Sequence, residues 1–531
     1  MSFLYNNVAA ITVAAVASVV AWMFGGARGD LLLPVVPWLF LIMIEVIFCY
    51  PQRHHGETTY EARARVWYDL KHSKVVRVSC LFIALLLIPF VNNGLCPDCD
   101  SMLIAQGISA APPIPFLPFC VRRLEHLNTV LWFVVALSSA VAVHHCLTRR
   151  GKRLVLELIV WNGAALAVLG FVQGATGAPG PFWCHLAGGS RTVAFFSSFG
   201  YPNMAGDYFT TLFVLAVALW RDRCEQLRRE EAGKDPSELS GSDAKKYGRF
   251  WRRHYFLMPA AVFFFAALNT LSRAAIILVT VLSVICFVHT LVVILSRMRR
   301  SRRVFVGVWS MVVFGLIVFF SAISMPNRMR KEVRTLESAG VLDRVTGRAQ
   351  YHGRVAPAIW RDHLLFGCGG WGYAHFSPIK MRELKISTRN LQSVGGANVH
   401  NDHLQFLVEH GLVGYGCLVT IVILLLWPVV WQWRATVKGL RFKKGKDLPP
   451  KPIVIFALPA PVFFILLAAV ATVIHACGDC PLRSCAVLDL FFISLAALPG
   501  FMPKETHEHH SHHQSHSSPV TINHQAPSTR Q

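Results

Sequence analysis

The sequence predicts an all-α polytopic membrane protein, and three observations do so. Of 531 residues, 54% are hydrophobic and only 15% charged, where soluble domains carry about a quarter charged. About twelve apolar runs of roughly 17 to 25 residues recur, each long enough to cross a hydrocarbon core of about 30 Å as a helix. The connections between them alternate between strongly basic and not. In lipid every backbone N–H and C=O must be satisfied within its own segment, so the spans are helices rather than open sheets. The composition excludes disorder and an ordinary water-soluble enzyme.

The expected spans run over 8–24, 31–50, 75–94, 127–147, 154–175, 205–220, 255–270, 275–295, 305–325, 411–432, 453–475 and 486–501. The first lacks a small-residue cleavage site and is followed at once by another span, so it reads as an uncleaved anchor. The formal charge of +23 would suggest nucleic acid in a soluble protein. Here 31 of the 52 Lys and Arg fall in five alternate connections, 51–74, 148–153, 221–254, 296–304 and 434–452. That is the cytoplasmic bias of membrane proteins, and no nucleic-acid partner is implied. Both termini are then cytoplasmic, and 25–30, 95–124, 176–203, 271–273, 326–402 and 476–485 face outward. The membrane domain is 1–503, with its large outer loop 326–402 between helices nine and ten. The loop 221–254 and the His-rich tail 504–531 are polar enough to be disordered.

Ion pathways keep ionisable residues in mid-span. Mid-span charge is sparse here; Glu45 and Glu157 are the main examples, each near a cytoplasmic helix end where it can pair with a basic loop. A flippase or transporter is thus a weaker reading than chemistry at the outer surface. The loop 326–402 carries 12 Lys and Arg where topology disfavours them, which suits an anionic partner such as a lipid diphosphate. A solvated face is the alternative. At its end comes Val399-His400-Asn401-Asp402-His403-Leu404-Gln405. Leu404, Leu407, Val408 and Leu412 space as one apolar helix face, with His400 and Asn401 at its start. A His there can take a proton from an alcohol, or simply cap the helix.

The pattern His-Asn, nine residues, Gly-x-x-Gly from His400 to Gly414 resembles the signature of the O-antigen ligase and Wzy polymerase superfamily. Gly347-Arg348, Trp360 and Gly367-Cys368-Gly369-Gly370-Trp371-Gly372 are similar to its Gly-Arg, Trp, Gly-x-Gly series. Ser272-Arg273-Ala274-Ala275 resembles its Ser-Arg-small motif, and Arg191 with Pro202-Asn203-Met204-Ala205 its Arg and Pro-Asn-x-x-Ala segment. Tyr201 stands where the family usually has Asn, and Ile277 where an Arg-x-x-x-Leu pattern would have Leu.

The resemblance implies a bacterial inner-membrane glycosyltransferase of GT-C-like type with a periplasmic active site. Its partners would be an undecaprenyl-diphosphate-linked glycan, membrane lipids, and lipid A-core or another glycan acceptor. A Wzy-type polymerase and a protein O-oligosaccharyltransferase are the alternatives within that chemistry. His400 is the implied base, and Arg191, Arg273 and Arg348 the implied diphosphate ligands, since guanidinium forks onto phosphate oxygens. Asn203, Asn401 and Gln405 are supporting candidates, for sugar hydroxyls or for the His400 tautomer, or else turn and cap residues. The resemblance implies an inverting reaction with no cofactor and no metal, so Asp98-Cys99-Asp100 is not read as a metal motif. Cys96, Cys99, Cys184, Cys368, Cys477, Cys480 and Cys485 fall in outer segments, where structural disulfides are expected.

Overall fold

A computed structural model describes residues 2–54, 56–92, 114, 116–184, 195–232, 243–296, 298, 300–323, 351–386, 398–442 and 458–502. Among these residues there is no β-strand beyond an isolated bridge between Phe196 and Phe199. The helices are α1 Ser2–Trp22, α2 Gly29–Cys49, α3 Thr59–His72, α4 Lys74–Val91, α5 Arg123–Val141, α6 Arg149–Ala175, α7 Pro202–Ala232, α8 Asp243–His254, α9 Leu257–Asn269, α10 Arg273–Ser296 and α11 Arg300–Ile323. After them come α12 Ala356–Asp362, α13 Gly372–Glu383, α14 Asp402–Phe442, α15 Ala460–Gly478 and α16 Cys485–Ala497. Eight are long and apolar enough to cross a membrane, and shorter apolar helices lie at 6–22, 257–269 and 485–501. The chain is a polytopic α-helical membrane protein.

Burial separates central from peripheral helices. Every residue of α16, and α7 from Ala205 to Leu219, is buried. By contrast α10 buries only Ala275, Val279, Leu282, Ser283, Cys286 and His289, one stripe at helical spacing, while Ile277, Val281, Val284 and Val288 are exposed on its other face. A helix apolar on both faces with one face unpacked is suited to lipid.

The connections sort into two ends as the charge pattern requires. At one end Gln52 bonds Asn7 and the Thr148 N–H, Arg149 donates to the Met502 carbonyl, and Arg153 pairs with Asp222. At the other, Ser198 donates to the Ala21 carbonyl, Ser484 to that of Gly25, and Tyr201 to Asp479. The expectation of a disordered 221–254 loop is corrected in part: α7 continues to Ala232 and α8 occupies 243–254. Residues 220–232 are good helix formers held by Asp222 on Gln226 and Arg153, and by Glu231 on Arg253. The tail 504–531 lies outside the described residues.

α14 carries the feature that shapes the site. Its first turns and its membrane-crossing part meet at Gly411, whose φ of 64° and ψ of −172° are non-helical. The loop segment 364–369 inserts there. Leu412 and Val413 donate to the carbonyls of Leu364 and Leu365, and the carbonyls of Val408 and Glu409 accept from Cys368 and Gly369, all at 2.9–3.0 Å. Two i to i−4 helical bonds are thus exchanged for four bonds to the loop, which satisfy the four backbone groups that the break sets free. A Cβ at Gly411 would lie 2.3 Å from the Leu365 oxygen. Above the kink Tyr351, Ile359, Cys368, Tyr373 and Met381 form a small second core.

Gly411→Ala should therefore lower the thermal unfolding midpoint in detergent by the equivalent of at least about 1–3 kcal/mol, because this backbone region is nearly glycine-only. Gly416→Ala, with open space around its Cβ, serves as control. Equal midpoints for the two variants would contradict the inserted-loop geometry.

Candidate active site

The approach to α14 is built by its own first turn. Asn401 Oδ1 accepts the Leu404 N–H at 3.1 Å, and its amide donates to the Cys477 carbonyl at 3.0 Å, so Asn401 is a helix cap that also ties α14 to α15. Gln405 is fully buried: its Oε1 accepts the Val399 N–H at 3.0 Å and its amide donates to Glu409 and Asn398. His352 bonds the Val399 carbonyl at 2.9 Å, and Asp402 accepts the Leu482 N–H at 2.7 Å. Between these braces His400 adopts φ 56°, a left-handed conformation that costs a non-glycine residue about 1–3 kcal/mol and persists only where neighbours over-determine it.

The imidazole is thereby presented to the turn between α15 and α16, with Nδ1 3.3 Å from Asp479 Oδ1. The His400 side chain is 15% exposed and that of Asp479 5%, so the ring is reachable and its partner is not. With Nδ1–H directed at the carboxylate, Nε2 is left with the lone pair. Tyr201 donates to Asp479 Oδ1 at 3.1 Å, the Cys480 N–H at 2.9 Å, and the Asn203 amide to Oδ2. Asn203 Oδ1 in turn accepts the Ser272 hydroxyl, which also caps α10 through the Ala275 N–H. Burial, with the Asp479 charge beside it, pushes the Tyr201 phenol upward and keeps it a donor.

Asn203 and His400 thus meet at Asp479, and Arg273 follows Ser272 at the start of α10, half-buried. Asn401 and Gln405 instead position backbone. Arg191, Arg348, Asp98 and Asp100 lie outside the described residues. Sequence reading missed Asp479; a single acid in the short outer turn 476–485 was the available signal, but the cysteines around it drew the attention. It also missed the buried polar groups below. Asp207 and His475 pair at 2.9 Å with side chains 1% and 0% exposed, and Thr472 donates to Asp207 at 2.9 Å. These sit one turn from Asn203 and Asp479 on α7 and α15, so mid-span charge is not confined to Glu45 and Glu157.

The expected apolar face of α14 holds at Val408, buried in the second core with Leu404 packed against it, and is corrected at Leu412. Leu412 is 47% exposed while Gln405 and Glu409 are 0% and 1%. The polar face turns inward because Glu409 meets Arg483 at 3.0 Å and Gln405 links it back to Val399. Arg483 stacks on Trp371 at 4.2 Å, which fastens the Gly-rich loop to the α15–α16 turn. Among the described residues no expected disulfide forms: Cys184, Cys368, Cys477, Cys480 and Cys485 are free thiols. Cys477 Sγ is directed at the Val473 carbonyl, Cys480 Sγ at Asp479 and Cys485 Sγ at the Trp132 carbonyl, so they diverge. Cys96 and Cys99 lie outside the described residues.

Residues 258–419 match the family model described as O-antigen ligase. The segment is an O-antigen ligase domain. This ligase domain holds Arg273, Arg348, His400, Gly411 and Gly414, whereas Arg191, Asn203, Asp479 and Arg483 come from outside it. No curated protein matches the chain. With its apolar helices, the ligase domain makes the chain a multi-pass membrane transferase of lipopolysaccharide assembly, moving glycan by ligase- or polymerase-type transfer from a lipid-linked donor to an acceptor.

Removing one member of a buried ion pair costs about 3–5 kcal/mol, whereas removing both costs less. Arg483→Met should accordingly melt well below the parent protein, and adding Glu409→Gln should restore part of the midpoint. A double variant no better than Arg483→Met would assign the loss to stacking on Trp371 instead.

Proposed function

We propose that this chain is an O-antigen ligase: it transfers a glycan from undecaprenyl diphosphate to a sugar hydroxyl of lipid A-core, with inversion, at the periplasmic face of the inner membrane. Both termini lie in the cytoplasm in this reading. The observation that carries it is the His400–Asp479 pair, formed at the His-Asn position of an O-antigen ligase domain. His400 Nε2 takes the acceptor hydroxyl proton as the oxygen attacks the anomeric carbon. Asp479 stabilises the imidazolium that results. The bond from anomeric carbon to phosphate oxygen breaks, and the diphosphate leaves as an anion. Arg273, Arg191 and Arg348 supply the positive charge it needs, and the basic loop 326–402 supplies the field that gathers it.

The N-terminal ends of α7, α10 and α14 converge on Asp479 through Asn203, Ser272 and His400. Helix N-termini favour an anion, and the anion they hold here is Asp479, the partner of the base.

The test is reconstitution with an undecaprenyl-diphosphate glycan, offering lipid A-core, a second lipid-linked glycan and a protein acceptor in parallel; modification of lipid A-core alone is expected. Extension of the second glycan would make the chain a polymerase. His400→Ala should abolish transfer in folded, inserted protein. Asp479→Asn should lower kcat by roughly 10²- to 10⁴-fold at little change in KM, and Arg273→Lys should fail because an ammonium cannot fork a diphosphate. Normal turnover in His400→Ala would reject the base assignment.

A further inference from the structure

Cys480 has no part in the chemistry above, yet its sulfur completes a triangle with the two residues that do. His400, Asp479 and Cys480 each offer one ligand atom, and all three atoms lie within 4.8 Å of one another. Two edges are shorter: His400 Nδ1 to Asp479 Oδ1 at 3.3 Å and Cys480 Sγ to the same oxygen at 3.4 Å. Zinc bonds of about 2.0–2.3 Å in a tetrahedron place ligand atoms about 3.3–3.8 Å apart. These edges therefore need little or no movement to become a coordination face.

The donor chemistry narrows the ion. One imidazole nitrogen, one carboxylate oxygen and one sulfur form a borderline-soft set that suits zinc or cobalt, whereas magnesium prefers oxygen alone. Asp402 lies close enough to interact electrostatically with both Asp479 and Asp207, with Arg483 opposing. Burial and the nearby carboxylates push the Cys480 thiol well up, with Arg483 opposing. Metal binding would expel that proton to solvent as the Zn–S bond forms. His400, the exposed member, is the side from which an ion and its fourth, solvent ligand can enter.

We propose that His400, Asp479 and Cys480 form a three-donor site for a zinc-class divalent cation, and that its occupation shuts off transfer. The inhibitory half rests on the reading of His400 as base. A metal on Nδ1 displaces the bond to Asp479 and leaves the ring's proton on Nε2. The nitrogen that must accept the acceptor's proton then has no lone pair.

Titration of the purified full-length protein with Co²⁺ tests the site without substrate. A near-ultraviolet sulfur-to-cobalt band saturating at one ion per chain is expected, lost in Cys480→Ser and in His400→Asn, and displaced by Zn²⁺ but not Mg²⁺. The His-rich tail contains no cysteine and cannot produce that band. In the transfer assay Zn²⁺ should inhibit and a chelator restore activity. Half-inhibition in Cys480→Ser, relative to that variant's own metal-free rate, should need at least about tenfold more Zn²⁺. Absence of the band, or its survival in Cys480→Ser, would overturn the site. A band with transfer undiminished would keep the site and remove His400 from the role of base.

Discussion

Asp479 is the constraint around which one end of the bundle is assembled. A carboxylate only 5% exposed is costly unless its lone pairs are satisfied. Here the donors come from remote parts of the chain: Tyr201 and Asn203 at the start of α7, His400 ahead of α14, and the Cys480 N–H next door. Each donor sits at a helix end, so satisfying one buried anion also sets the relative heights of α7, α14 and α15. The Asp207–His475 pair, one turn further along the same two helices, holds the same register from below. Removing one rung would let the other drift, which is how a residue outside the chemistry can govern where the imidazole points.

The second determinant is the way the large loop is fastened. At Gly411 the helix gives up two of its own bonds and receives four from residues 364–369, so the loop is part of α14's backbone ladder rather than a cover resting on it. Glu409, just before the kink, carries the connection inward to Arg483, and Arg483 returns it to the loop through Trp371. Gln405 joins this chain to Val399, next to the base. Loop, helix and inter-helix turn are therefore one mechanical unit with His400 at its edge. Gly411 is required both for its backbone angles and for the absence of a Cβ against Leu365.

Much of this was legible in the sequence. Apolar runs located helices, and the alternation of basic connections sorted the loops onto two ends, because burial in lipid and translocation bias act residue by residue. His400 and Gly414 were legible as a motif, and Asn203 beside its proline likewise. Asp479 was not, since a lone acid in a short turn does not by itself tell that it will face a histidine 79 positions earlier. The burial of Gln405 and Glu409 on α14 escaped for a related reason: both look solvent-facing until Arg483 and the Val399 N–H are brought to them. Periodicity reads which residues avoid water, and it is blind to polar groups that a distant partner has already satisfied. The cysteines show the converse error, where compartment favoured disulfides but the thiols at 477, 480 and 485 are each directed at a different acceptor.

Two opposite electrostatic demands meet at this end of the molecule. A base that takes a proton needs negative charge beside it, and a departing diphosphate needs positive charge. The chain answers by segregation. The anionic partner of His400 comes from the α15–α16 turn, outside the ligase domain, while Arg273 and the basic loop lie within it. Tyr201 and Asn203 donate to Asp479 alongside the imidazole, so neutral donors share in satisfying the carboxylate that orients the base. The carboxylate oxygen that orients His400 also lies 3.4 Å from Cys480 Sγ, which places a third donor beside the pair. Susceptibility to zinc is then the physical counterpart of orienting a base with a carboxylate that also has a thiol at its side.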